Sequence, residues 1–449
     1  MLVKISASNF RSINKKQTFS MEAGKARNFS ERTTRIAGTK ILKFKAVYGP
    51  NASGKSNLIR IFEFMRVAVI RGIPGASTMD YCRLQDNNVN QLSMFEIDVV
   101  LDGKYYEYGF EALLSEGRFT REWLIEHKTQ STRQIFYRNI EQETFEIQDF
   151  HNAAINERLH IYADDIKSDK KVLFLHAMNQ NKDSLYTNDS KIMIFKTLYT
   201  WFRDGLNVHY PDDPLTEYTY FFDSKGCAAA EEILKKMDTG ISGLSIYDVP
   251  TEKVMSQIPK ELFQEIVNRL TEQLKQNDDP NDEPPSVVVR NMEGHDMFLI
   301  ELRDENVICK TLKFNHQHSN SLFTLRDESD GTVRLLDLVE ILLSDAENTV
   351  YVLDEINRCL HPMITKQFVK YFLRLAETRN IQLIVTTHET DLMDLGLLRQ
   401  DEIGFIQKQE EDGTSRIFGL EDYGARFDKK IRSAYMKGQY DAVPRLESI

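Results

Sequence analysis

Over residues 1 to about 55, apolar and polar positions alternate in short runs that end in a continuous apolar stretch. Leu2 to Ile5 reads as an edge strand that turns through Asn9-Phe10-Arg11-Ser12-Ile13. Lys40 to Tyr48 alternates and then becomes wholly apolar at Ala46-Val47-Tyr48, as a strand entering a core does. From Lys55 to Val69 the period changes. Leu58, Ile61, Phe62, Met65 and Val69 fall on one helical stripe. Period-two alternation then returns at Phe95 to Val99 and Tyr105 to Phe110, around the hairpin dipeptide Asp102-Gly103. Phe119 to His127 and Gln134 to Tyr137 read as further strands.

Helical spacing takes over across Leu159–Asn179, Lys191–Leu206 and Gly226–Met237, interrupted by Pro211 and Pro214. This segment is too short and too broken for a long coiled-coil arm. Leu244 to Ile246 returns to strand, Pro259 to Lys275 is helical, and Asn277 to Pro285 is an acidic loop. Val287 to Arg290, Met297 to Leu302 and Val307 to Phe314 read as strands. Beyond them a helix over Gly331–Leu343, a strand over Val350–Leu353, a helix over Pro362–Leu375 and a strand over Ile381–Thr386 alternate, the rhythm of a parallel sheet. A strand over Asp401–Lys408 and a short helix over Arg426–Met436 follow. The expected organisation is an N-terminal lobe over 1–154, a helical insertion over 155–240 and a C-terminal lobe over 241–449.

Composition narrows the function classes. A net charge of −11 in 449 residues does not suit a chain that holds DNA mainly by electrostatics. The basic runs Lys167–Lys171 and Lys429–Arg432 are short and interleaved with acids, so they read as solvated faces. No apolar run reaches the ~18–20 residues of a membrane span, and no signal-peptide pattern opens the chain. The four cysteines are far apart in sequence. A reduced, cytoplasmic setting without membrane partners is the expectation.

The candidate chemistry starts at Gly49-Pro50-Asn51-Ala52-Ser53-Gly54-Lys55-Ser56, which fits the phosphate-loop pattern in full. It stands between an apolar strand and an amphipathic helix, where backbone N–H groups and the helix start favour phosphate. Lys55 would reach the outer phosphates, and Ser56 would hold Mg²⁺. Val350–Leu353 ends in Asp354 and Glu355. Carboxylates at the end of such a strand suit a metal shell and a water-polarising base, respectively. Ile381–Thr387 repeats the design and ends in His388, which could reach the γ-phosphate, with Thr386 and Thr387 placed to orient the water. Glu328-Ser329-Asp330-Gly331-Thr332 opens a helix. Read alone, Ser329 is an ordinary N-cap.

In order, Gly49–Ser56, Ser329–Thr332, Leu353-Asp354-Glu355, Leu360-His361-Pro362 and His388 resemble the Walker A, signature, Walker B, D-loop and switch-histidine elements of ABC-type ATPases. Asn9-Phe10-Arg11-Ser12 after the first strand is similar to the opening of the SMC- and RecF-like branch. Within it, the chain resembles the AAA-family ATPases encoded beside nucleases in bacterial defence systems of the RloA, AbiL, PARIS and Septu type. The loop through Asn57, the Phe95-to-Phe110 hairpin, the Ser329 segment and the tail Gly438–Pro444 carry that likeness.

The resemblance implies an α/β fold: an ABC/SMC-type P-loop head, with a mixed sheet and an antiparallel β subdomain, carrying a helical insertion. It implies ATP and Mg²⁺ as cofactors. Gly49, Asn51, Ser53, Gly54, Lys55, Ser56 and Asn57, with Ser329 and Gly331 of an opposing copy, would hold the nucleotide. Ser56 and Asp354 would hold the metal, and Glu355 and His388 would act in hydrolysis. It further implies a homodimer or higher oligomer with ATP between heads, a separately encoded nuclease or toxin effector and a phage-derived trigger. Nucleic acid stays open as a partner. Asp330 departs from the glycine of many signatures, and neither Gln85 nor Gln91 stands out as a Q-loop residue. The 61 residues after His388 leave no room for the Toprim nuclease domain of related OLD-type proteins. The alternatives are a RecF-like repair ATPase that binds DNA directly and a scaffold that binds nucleotide without hydrolysis.

Overall fold

The computed structural model describes residues 1–26, 28–186, 191–211, 218–276, 284–290, 296–303, 306–423, 431–440 and 442–443. Most of the expected acidic loop, the start of the last expected helix, Lys429 and Lys430, and Asp441 and Pro444 of the tail lie outside these residues. The chain divides into two units. The first comprises 1–211, 346–356 and 372–449, and the second 212–345 and 357–371.

The first unit holds the expected mixed α/β architecture. Its central sheet runs in the order Leu206–His209, Val350–Leu353, Gln382–Thr386, Phe44–Tyr48, Ile403–Lys408, Ser415–Gly419. The first five strands are parallel, and the last is antiparallel to its neighbour. The three strands Val350–Leu353, Gln382–Thr386 and Phe44–Tyr48 are buried along their whole length. That is why they read as unbroken apolar runs rather than as alternation. A second sheet of seven antiparallel strands has the order Thr144–Ile147, Thr132–Asn139, Arg118–His127, Lys104–Leu113, Ser93–Leu101, Leu2–Ser8, Gln17–Ser20. Leu2–Ser8 is therefore flanked on both sides, which corrects its reading as an edge strand: alternation reports which faces are buried, not how many neighbours a strand has.

The helix Lys55–Arg71 buries more than one stripe. Beyond the expected positions, Ile59, Phe64 and Ala68 are also buried. Phe64 packs with Phe10, Phe95 and Phe110 of the antiparallel sheet side, while the helix also contacts the strands Leu206–His209 and Val350–Leu353. Covered from two directions, it joins both sheets in one core. A buried amide ties them again. Gln382 Oε1 accepts from Leu2 N–H at 2.6 Å, and its Nε2 donates to the carbonyls of Leu2 and Leu42 at 2.9 Å each.

The segment expected as a helical insertion is divided. Ala153–Ile166, Phe174–Ala177 and Met193–Thr200 belong to the first unit, and Leu159, Phe174 and Phe195 join its core. The expected helix over Lys191–Leu206 is α-helical over Met193–Thr200, widens into a π-helical turn over Trp201–Gly205 and gives way to the strand Leu206–His209.

The second unit is built on its own sheet, ordered Ile241–Val249, Asn306–His316, Met297–Arg303, Ser286–Arg290. Phe263 and Leu270 of the helix Lys260–Gln276 cluster with Phe298, Ile300 and Leu302. The helices Ser224–Lys236 and Asp330–Leu343 pack on each other. His316 ends the strand Asn306–His316, with Nε2 2.6 Å from Glu328 Oε1.

Candidate functional site

Parallel strands release their carboxyl ends at one sheet edge, where open α/β sheets bind ligands. Three chain segments leave the first unit's central sheet there. Tyr48 leads into Gly49–Gly54, Leu353 into Asp354-Glu355, and Thr386 into Thr387-His388. Main-chain bonds hold them in register. Asp354 N–H donates to His209 O at 3.0 Å, Ile356 N–H to Thr386 O at 3.1 Å, and Thr387 N–H to Val47 O at 3.1 Å.

The loop is tight. A Cβ on Gly49 would meet Ile406 O at 2.3 Å, and one on Gly54 would meet Ser415 Oγ at 2.2 Å. Gly54 also has a φ of +110°, which L side chains rarely adopt. The helix starts immediately after, at Lys55. Ser53 Oγ is buried with no protein hydrogen-bond partner. Asn51 is exposed, and Ser56 and Asn57 are half-buried. Lys55 is 6% exposed, and its Nζ donates to Gly49 O at 2.9 Å and Pro50 O at 3.0 Å. Burial lowers its pKa, opposed by the charges of Asp354 and Glu355.

Those two acids are set by one hydroxyl. Thr386 Oγ1 donates to Asp354 Oδ1 and accepts from Glu355 N–H at 2.8 Å. Expected to orient water, Thr386 bonds the Asp354 carboxylate and the Glu355 main-chain N–H. Glu355 has a φ of +48°, a strained conformation for a residue with a side chain. The bond to Thr386 and the next one, from Ile356 N–H to Thr386 O, fix it there. His388 is exposed, while Thr387 and Asp354 are buried. The His388 pKa is lowered, first by partial loss of solvent and then by the Lys55 charge, against the pull of Glu355 and Asp354. Lys55, Asp354, Glu355 and His388 thus share one electrostatic neighbourhood.

Two contributors were invisible to motif reading. Ser415, at the start of the antiparallel edge strand, donates through Oγ to Ser53 O at 2.6 Å and shares a 2.7 Å hydrogen bond with Ser12 Oγ. Asn57 Nδ2 donates to the same Ser12 Oγ at 2.7 Å. The Ser12 of the Asn-Phe-Arg-Ser run is therefore a brace behind the loop. A lone serine such as Ser415 carries no sequence signal of that role.

Ser329 and Gly331 belong to the second unit. Ser329 is exposed and caps the helix Asp330–Leu343, its Oγ accepting from Thr332 N–H at 3.2 Å. A Cβ on Gly331 would meet Cys359 O at 2.7 Å. Asp330 is exposed in the first turn, where the helix dipole favours a carboxylate. Gln85 and Gln91 are both exposed beside a short 3₁₀ turn. Among the described residues no helix is long and apolar enough to cross a membrane.

A family model described as "AAA domain, putative AbiEii toxin, Type IV TA system" matches residues 44–394. No curated protein matches the chain. Among solved structures, an SMC head bound to the C-winged helix domain of ScpA is similar at 14% identity and TM-score 0.43, over 94% of this chain and 99% of that one. An SMC head domain from Thermotoga maritima is similar at 13% identity and TM-score 0.34, over 93% and 98%. A Smc head with an extended coiled coil, bound to the C-terminal domain of ScpA derived from Pyrococcus furiosus, is similar at 14% and 0.34, over 94% and 97%.

Proposed function

The chain belongs to the family described as "AAA domain, putative AbiEii toxin, Type IV TA system", and from that membership we propose an ATP-driven switch. It binds and hydrolyses ATP with Mg²⁺, closes as a homodimer around the nucleotide, and works in the cytoplasm as sensor and scaffold of an anti-phage system. A separately encoded nuclease or toxin is the effector it controls.

One observation carries the ATPase reading: the Thr386 hydroxyl holds Asp354 and Glu355 together in the electrostatic reach of Lys55. The loop suits a polyphosphate by its own chemistry. Ser53 Oγ is buried without a partner, both glycines leave no room for a Cβ, and the Lys55 ammonium is largely desolvated. Lys55, now bonded to loop carbonyls, would exchange those bonds for phosphate oxygens. Ser56 and Asp354 would hold Mg²⁺, which supplies charge neutralisation on the phosphates. Glu355 would accept hydrogen bonding from the attacking water, and His388 would approach the terminal phosphate. The exposed Ser329 hydroxyl at a helix start is accessible to a second copy, which supports its reading as the trans contact. The toxin and the Type IV TA system in the family's description support the defence setting.

Glu355→Gln tests the chemistry. Phosphate release should fall by at least about 100-fold, while ATP stays bound and copies stay paired. Hydrolysis at the parental rate would remove Glu355 from the mechanism. Purification from the native operon tests the partner: an effector should co-purify, and recovery of this chain alone would remove that part of the reading.

A further inference from the structure

Three neighbouring strands of the antiparallel sheet carry a second cluster. Asp98 lies on Ser93–Leu101, Glu107 on Lys104–Leu113 and His127 on Arg118–His127. Asp98 faces Glu107 directly across one strand pair, and Tyr105 faces His127 across the next. Glu107 and His127 are therefore diagonal neighbours on the same face. One donor atom from each of the three residues lies within 4.8 Å of the other two. None of the residues of the candidate nucleotide site lies on these strands.

The cluster has an unfilled position. Asp98 is 1% exposed, yet its Oδ1 has no hydrogen-bond partner. Leaving a buried carboxylate oxygen without a donor is costly. Loss of solvent pushes the Asp98 pKa up to about 6, against the pull of Tyr105 and Lys4. The other oxygens are already held from outside. Tyr105 OH donates to Asp98 Oδ2 at 2.6 Å, and Trp123 Nε1 donates to Glu107 Oε1 at 3.0 Å. Such outer bonds orient the ligands of a metal, and Asp98 Oδ1 is left without a partner. His127 Nε2 lies 3.0 Å from Glu107 Oε2.

We propose that Asp98, Glu107 and His127 bind a divalent first-row transition-metal ion such as Zn²⁺ or Mn²⁺, with water completing its shell. One imidazole nitrogen with two carboxylate oxygens is a donor set for these ions rather than for Ca²⁺. Metal–donor distances of about 2.0–2.2 Å put neighbouring donors roughly 3.4 Å apart. The His127–Glu107 pair is already near that spacing, and the buried Asp98 carboxylate would supply the third donor. Lys4 opposes the ion. Its Nζ lies 3.2 Å from Asp98 Oδ2, but its side chain is 33% exposed and can turn to solvent. The bound ion would link three adjacent strands.

Zn²⁺ alone, added to the full chain after chelator treatment and without nucleotide, tests this by equilibrium dialysis. The parent should bind one equivalent that weakens at least about tenfold in His127→Gln. Asp98→Asn, close to the native shape, should lose the same equivalent. Lys4→Gln should bind it more tightly, because a competing cation is gone. Lys55→Ala should keep it, separating this cluster from the phosphate loop. Equal Zn²⁺ stoichiometry and affinity in the parent and a folded His127→Gln would overturn the proposal, whatever becomes of the ATPase reading.

Discussion

The phosphate loop and the Ser329 segment are both polar turns at the start of a helix, yet they are built differently. Around the loop, Ser53, Lys55 and Asp354 are buried, and strands far apart in sequence converge on it. Ser53 Oγ is left without a protein partner there. At Ser329 the hydroxyl is exposed and already serves its own helix through Thr332 N–H. The first arrangement is desolvated and shaped ahead of any ligand. The second is a satisfied N-cap that gains another role only if a second surface arrives. Preorganisation belongs to the first alone.

The largest effect should break the preorganised side. Lys55→Ala removes a buried cation within the electrostatic reach of Asp354 and Glu355. ATP affinity, measured by calorimetry, should fall at least ~100-fold, in line with the roughly 2–5 kcal/mol cost of truncating a buried charge pair. Retained affinity would mean that the loop is not the nucleotide site. A smaller effect should come from Thr386→Val, which keeps the shape but strands Glu355 N–H and Asp354 Oδ1. Phosphate release should fall about 10–100-fold because the acids lose their placement, and stability should drop by about 1–3 kcal/mol. Unchanged release would show that Thr386 is only structural. Ser329→Arg sharpens the contrast from the other side. A single copy should bind ATP as before and lose about 1 kcal/mol of helix capping, while ATP-dependent pairing, read by sizing, disappears. Pairing that survives would reduce Ser329 to its cap.

The parts of this site legible from sequence are those whose meaning is local. Gly49–Ser56 and the acids after Val350–Leu353 announce themselves because their neighbours in sequence are also their neighbours in space. Ser12, Ser415 and Gln382 do not, because each gains its role from a partner hundreds of residues away. Thr386 was visible as a polar strand tip, but which groups its hydroxyl serves depends on the adjacent parallel strand. The strand Leu206–His209 was hidden for a related reason. Four residues following a helical pattern carry too little periodicity to announce a strand, and it exists through pairing with Val350–Leu353.

Gln382 has a consequence of its own. A single carboxamide is the peg on which three main-chain groups from two different strands hang, at the head of the strand that ends beside His388. The surrounding apolar residues are interchangeable within limits of volume, since dispersion and burial are forgiving of identity. The peg is not, because only a carboxamide offers an acceptor and two donors in that flat geometry, and asparagine's sits one methylene closer to the backbone. Sequence drift across these sheets should therefore flow around position 382 like water around a post.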